Sequence, residues 1–222
     1  MNAEIKPERF RLGITEEDLS TMLYGNLNEH YAKTVVDEIE QDYGSMNRHY
    51  HVWQHVLDML EFANLHNDKV INQRVFNWSI LFHDSIYDTQ AKYGENEIKS
   101  AQLSRDYLTD LLPEKEIEEI CRNILATASH ECEPNDKQLA LFLDTDLAIL
   151  GREPEIYRTY SINIEREYSW MAPEKYKSGR SKILARFINN KPLYKTPEIC
   201  TKLQTQAMVN MTNELAELGQ II

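Results

Sequence analysis

Glycine and proline are scarce in this 222-residue chain, at seven each. That shortage argues against a β-sandwich, whose many turns draw on both residues. No apolar run reaches the roughly 18 residues a membrane-crossing helix needs, so no membrane partner is expected. Cysteine is sparse too. Cys121, Cys132 and Cys200 are odd in number and scattered, which fits a reducing compartment better than a disulfide framework. The N-terminal stretch MNAEIKPERF lacks the charged-then-apolar order of a signal peptide, so the expected location is the cytoplasm. Positive charge is short as well: 24 Lys and Arg stand against 36 Asp and Glu, a net charge of −12. An acidic coat repels polynucleotide backbone and anionic lipid, and neither is an expected partner.

What remains is an ordinary globular mixture, 42% hydrophobic and 27% charged, long enough to bury a real core. Its periodicity is helical nearly throughout. Thr15-Glu16-Glu17-Asp18 reads as a capped helix start. Further helices are expected over about 28–43, 46–66, 72–84, 95–112, 114–130, 137–150, 154–171, 173–190 and 197–218. Pro113 and Gly151 act as stops, and SIYDTQAKYG reads as a loop. No repeat, low-complexity tract or long linker interrupts the pattern. The expectation is one all-α domain spanning 1–222.

In such a bundle the informative residues are polar ones on apolar stripes. Seven histidines are present, and three fall in RHYHVWQH at 48–55. His51 and His55 are four apart, so a helix would put them on one face. With Arg48 they edge the buried face formed by Val52, Val56, Met59, Leu60 and Ala63. His83 and Asp84 end the apolar run Ser79-Ile80-Leu81-Phe82. Asp146 lies within the stripe Leu139, Phe142, Leu143, Leu150, so its carboxylate is expected to point inward. Asp144 is about 200° away around the helix and is the less favoured of the two. His49 falls on another part of the helix and reads as structural.

Inward carboxylates and imidazoles from three segments need a shared cation. A divalent metal meets that need: Mn, Fe, Co, Ni, Zn or Mg, with water completing the shell. Such an ion makes bound water reactive near neutral pH. Taken singly, each feature also has an ordinary reading, as a packed histidine pair or a hydrogen-bonded core carboxylate.

The order His55, His83-Asp84, Asp146 resembles the HD-domain superfamily of metal-dependent phosphohydrolases. YHVWQH at 50–55 is similar to the Tyr-His-x-x-x-His motif of its cyclic-nucleotide phosphodiesterase branch, and Asp146-Leu147-Ala148 to the segment carrying the last ligand there. RHYHVWQH, FHDSIYD, NEIKSA, FLDTDLAILG, IEREY and the later GR most resemble a bacterial group of predicted HD phosphohydrolases, over about 28–195. The resemblance implies an HD helical bundle with additional N- and C-terminal helices. It implies His55, His83, Asp84 and Asp146 as metal ligands, and His51 as the acid that protonates the leaving oxygen. It allows His130 as a ligand of a second metal. Glu97 either holds a water of the metal shell or caps its helix. Arg48, Arg166 and Arg180 either clamp phosphate or pair with acidic residues. Trp53, Trp78, Tyr87 and Tyr168 read as core before stacking platforms. The implied substrate is a small phosphorylated molecule, a nucleotide above all. A homodimer is allowed by the sequence and not required. Two other readings stay open: a regulatory protein that binds metal and nucleotide without turnover, and an HD-type di-iron oxygenase.

Overall fold

The computed structural model describes residues 29–219, and every regular element among them is helical. In chain order these are α1 (Glu29–Asp42), α2 (Trp53–Asn64), α3 (Gln73–Phe82), α4 (Glu95–Leu108), α5 (Glu114–Ala126), α6 (Lys137–Asp146), α7 (Pro154–Glu167), α8 (Pro173–Asn189) and α9 (Pro197–Glu217). Short 3-10 turns lie at Asn67–Lys69 and Leu147–Gly151. The all-α expectation holds. The helix start expected at 15–18 lies outside the described residues. No described helix is long and apolar enough to cross a membrane.

The bundle is organised around α3. Asn72 starts it by accepting a hydrogen bond from the Val75 amide at 3.2 Å. Every residue from Val75 to Phe82 is buried. A helix apolar on all sides belongs in the middle of a fold, and α1, α2, α4, α5 and α6 all pack on it. Its buried Asn77 and Ser79 are matched, whereas the Trp78 indole Nε1 finds no partner among the described residues. Gln73 donates to Asn77 at 2.8 Å, and Asn123 donates to the Ser79 hydroxyl at 3.0 Å. The C-terminal end of α3, where His83 and Asp84 follow, is thereby fixed from several sides.

Two local departures from the periodicity matter. First, α2 begins at Trp53, not near Met46. The amides of His49, Tyr50 and His51 all donate to one carboxylate oxygen of Glu167, at 2.8, 2.8 and 2.9 Å. Three successive amides converging on one anion form a nest rather than a helical turn. His51 therefore precedes the helix, and the shared helix face expected for His51 and His55 is corrected. Second, α6 stops at Asp146 and tightens into Leu147–Gly151, short of the helix expected to Leu150. Gly151 explains the tightening. A Cβ there would lie 2.6 Å from the Leu203 side chain and 2.9 Å from the Leu203 carbonyl, so only glycine lets this turn approach α9.

Asp144 accepts the amides of Lys195 and Thr196 at 2.8 and 2.5 Å, and so anchors the start of α9 to α6. A buried ion pair joins α8 to α9. Arg180 donates to Glu214 at 2.7 and 3.0 Å and to the Tyr160 hydroxyl at 3.2 Å, and Tyr157 also donates to Glu214. Removing one partner strands the other charge. Glu214→Ala is therefore expected to cost about 3–5 kcal/mol by chemical denaturation; a loss under about 1 kcal/mol would contradict a closed pair.

Candidate metal centre

Three segments converge at one end of α3. His55 comes from the first turn of α2, His83 and Asp84 from the end of α3, and Asp146 from the end of α6. His55, His83 and Asp84 each place one ligand atom within 4.8 Å of the others, a group that could hold a metal ion. The two imidazole Nε2 atoms are 3.1 Å apart, and His83 Nε2 is 3.0 Å from Asp84 Oδ2. Asp146 Oδ1 reaches His55 Nε2 at 3.3 Å and His83 Nε2 at 3.8 Å. Donors held at about 2.1 Å from one cation lie about 3.0 Å apart in an octahedron and about 3.4 Å apart in a tetrahedron. Three of the four separations fall in that range, and His83 to Asp146, at 3.8 Å, is wider.

The donor chemistry fits a cation as well as the spacing does. His83 Nδ1 is 2.8 Å from the Ile80 carbonyl. A carbonyl only accepts, so Nδ1 carries the hydrogen, and neutral His83 turns the lone pair of Nε2 toward the cluster. Two buried imidazoles and two carboxylates facing one another need positive charge between them, as a proton or a metal. Burial opposes charge on His83, yet Asp84 and Asp146 push its pKa up to about 9. Burial also raises the Asp84 and Asp146 carboxyls. The neighbouring histidines outweigh it, His83 and His51 for Asp84, and His130, His55 and His83 for Asp146, and hold both below the usual carboxylate range.

His51 stands beside this group, Nε2 3.8 Å from Asp84 Oδ2. Its Nδ1 pairs with Glu167 Oε2 at 2.7 Å, and its ring stacks on Tyr87 at 4.0 Å between centroids. Burial lowers its pKa, but Asp84 and Glu167 outweigh burial and hold it above the ordinary imidazole value.

The chain matches no family model, no curated protein and no solved structure.

Arg48 is buried, and its terminal nitrogens donate to the carbonyls of His51, Asp84 and Ser85 at 3.2, 2.6 and 2.7 Å. It ties the segment before α2 to the turn after α3. With both terminal nitrogens bonded to backbone carbonyls, it braces the site. Arg180 is held by Glu214, the ion pair that stood as its alternative. Arg166 is exposed. Glu97 lies in the first turn of α4, and none of the cluster's contacts involves it. Asp144, bound to the amides before α9, points away from the group that Asp146 joins. His130 follows α5 with φ 56°, a left-handed conformation rare outside glycine. It closes the helix by donating its amide to Ala126 and sets Nε2 2.9 Å from Asp146 Oδ2. A strained residue of this kind persists only where its surroundings hold it.

Glu167 and Tyr43 escaped the sequence reading. The Tyr43 hydroxyl donates to Leu81 and accepts the Asp84 amide, fixing the turn that carries His83 and Asp84. Glu167 had a signal: with Tyr157, Tyr160 and Ile164 it completes the buried stripe of α7.

A cavity of about 250 Å³ opens beside the cluster, with His51, His130 and Asp146 in its lining. Burial raises the Glu167 carboxyl, but hydrogen bonds from His51 and the backbone amides bring its pKa down to about 2. A carboxyl lowered in the folded state stabilises above its unfolded pKa of about 4.3, and that contribution is lost as pH falls toward the folded value. Glu167→Gln is thus expected to destabilise by up to about 3 kcal/mol above pH ~5. The gap to wild type should close between pH ~5 and ~2, as read by urea denaturation at stepped pH. A gap independent of pH would show that the carboxylate charge is not what Glu167 contributes.

Proposed function

We propose that the chain is a metal-dependent phosphohydrolase of the HD type, cleaving a phosphoester of a nucleotide or other small phosphorylated metabolite. One observation carries this reading: four imidazole and carboxylate donors from three segments meet near ligand spacing, with a third, braced imidazole, His51, 3.8 Å from one of them. A divalent cation held by His55, His83, Asp84 and Asp146 would supply a Lewis acid for a phosphate oxygen and make water nucleophilic near neutral pH.

The chain's own residues divide the remaining work. Asp84, between His83 and His51, is placed to orient the attacking water. Glu167 accepts the hydrogen bond from His51 Nδ1–H, which leaves the Nε2 proton of the imidazolium on the cluster side for the departing oxygen. A His51 pKa above the ordinary value keeps that proton available near neutrality. Arg48 and Tyr43 hold the backbone on which these groups sit. The net charge of −12 disfavours polynucleotide and suits a small substrate drawn to a local cation. A cytoplasmic setting goes with this reading.

The contact of His130 with Asp146 Oδ2 favours one variant, in which His130 and Asp146 hold a second cation. With two irons the same frame would support oxidation by oxygen. Iron content and oxygen consumption separate that chemistry from hydrolysis.

The test is to purify the chain without chelators, measure its metals, and assay phosphorylated metabolites with Mn, Co, Ni or Mg added. Asp84→Ala is expected to lose bound metal and hydrolysis together. His51→Gln is expected to keep the metal and lose about 10²- to 10⁴-fold in kcat. Hydrolysis that survives Asp84→Ala would end the proposal. Tight nucleotide binding with no turnover under any metal would point instead to a regulatory binding protein.

A further inference from the structure

The cavity beside the cluster has walls unlike its floor. The floor is ionisable, with His51, His130 and Asp146. The walls are aromatic and apolar, with Tyr87, Tyr160, Tyr168, Tyr176, Phe187 and Ile183 prominent. At about 250 Å³ it is smaller than most ligand sites, which run from roughly 300 to 1,000 Å³. That is room for one ring system.

The charge of the walls is equally restrictive. Among the described lining residues Arg180 is the one guanidinium, and no lysine lines the cavity. Arg180 is closed by Glu214 at 2.7 and 3.0 Å and lies 5.2 Å from the Tyr160 ring centroid. Its charge is cancelled before a ligand arrives. Beyond the cluster and the histidines of the floor, nothing in this lining offers positive charge to a second or third phosphate.

We infer that the cavity takes the organic part of the substrate, and that this part carries one flat, uncharged ring system and a single phosphate group. The inference rests on the phosphohydrolase reading for placing the phosphate at the cluster. Aromatic walls favour a ring by stacking and area burial. Their lack of free cations disfavours diphosphates and triphosphates, and their apolar character disfavours short polyhydroxyl or zwitterionic esters. Tyr176 and Ile183 are wall residues that touch neither the ligand set nor His51 in any described hydrogen bond or ion pair. Ile183, 44% exposed, lies where the cavity meets solvent.

Phosphonates, whose carbon–phosphorus bond is not hydrolysed, read the cavity without turnover. Titration calorimetry on the manganese-loaded full chain would compare benzylphosphonate, methylphosphonate and methylenediphosphonate. Benzylphosphonate is expected to bind at least about tenfold more tightly than either of the others. Tyr176→Leu should weaken benzylphosphonate and leave methylphosphonate unchanged. Ile183→Arg adds a cation at the rim and should improve methylenediphosphonate about tenfold relative to benzylphosphonate. Equal binding of the three probes, or no response of their order to either variant, overturns the inference.

Hydrolysis of p-nitrophenyl phosphate, nucleoside monophosphates, nucleoside triphosphates and glycerol phosphate is measured beside it. Turnover with no ring preference removes the inference and keeps the phosphohydrolase reading. Ring preference with no turnover of any ester supports the cavity assignment and removes the catalytic reading.

Discussion

Two imidazoles 3.1 Å apart, each against a carboxylate and all largely out of water, can persist only if positive charge lies among them. Without it, lone pairs and anions would face one another in a medium that screens poorly. Each architectural feature at this end of the bundle serves that convergence. Helix α3 is buried on every side and cannot drift. The Ile80 carbonyl fixes which nitrogen of His83 is turned inward. The switch from α6 to a 3-10 turn puts Asp146 at a helix end, close enough to both imidazoles to complete the set.

A second layer of contacts makes the convergence rigid. Glu167 gathers three amides and one imidazole, and Arg48 gathers three carbonyls. One is an anion on backbone donors and the other a cation on backbone acceptors. Together they clamp a segment with no helical ladder of its own. An irregular segment can hold an imbalance of donors that a helix would satisfy internally. Here that imbalance aims His51.

Helix positions were legible from periodicity because each helix has an apolar stripe that the bundle buries. Asp146 was legible for a related reason: a carboxylate on such a stripe has nowhere else to point. The separation of Asp144 from Asp146 followed from the angle between them, and the structure gives Asp144 a different task on the amides before α9. The stretch 46–52 was not legible. Its apolar spacing is compatible with a helix, and the competing interaction comes from Glu167, more than a hundred residues downstream. His130 shows the same limit, since a left-handed backbone at a histidine has no local signature. Arg48 was visible as a buried cation, but sequence does not distinguish an arginine that grips phosphate from one that grips carbonyls. Only the identity of its partners decides, and those are tertiary.

The contrast between floor and walls has a physical consequence for how the two parts of the site act on each other. Charges work more strongly where water is excluded, and on the His51 side of the cluster the cavity lining is largely aromatic and apolar, offering water few partners. An aromatic wall is therefore not only a surface for a ring to rest on. A ligand ring seated there displaces the remaining water, and the Asp84–His51 and Glu167–His51 pairs then act through a drier medium. Arg180, held by Glu214 and packed on Tyr160, fits the same design: a bare guanidinium in that wall would draw water and polyanions into the space. The neutral wall and the charged floor are thus two sides of one requirement, that charge be concentrated at the end of α3 and excluded from the space above it.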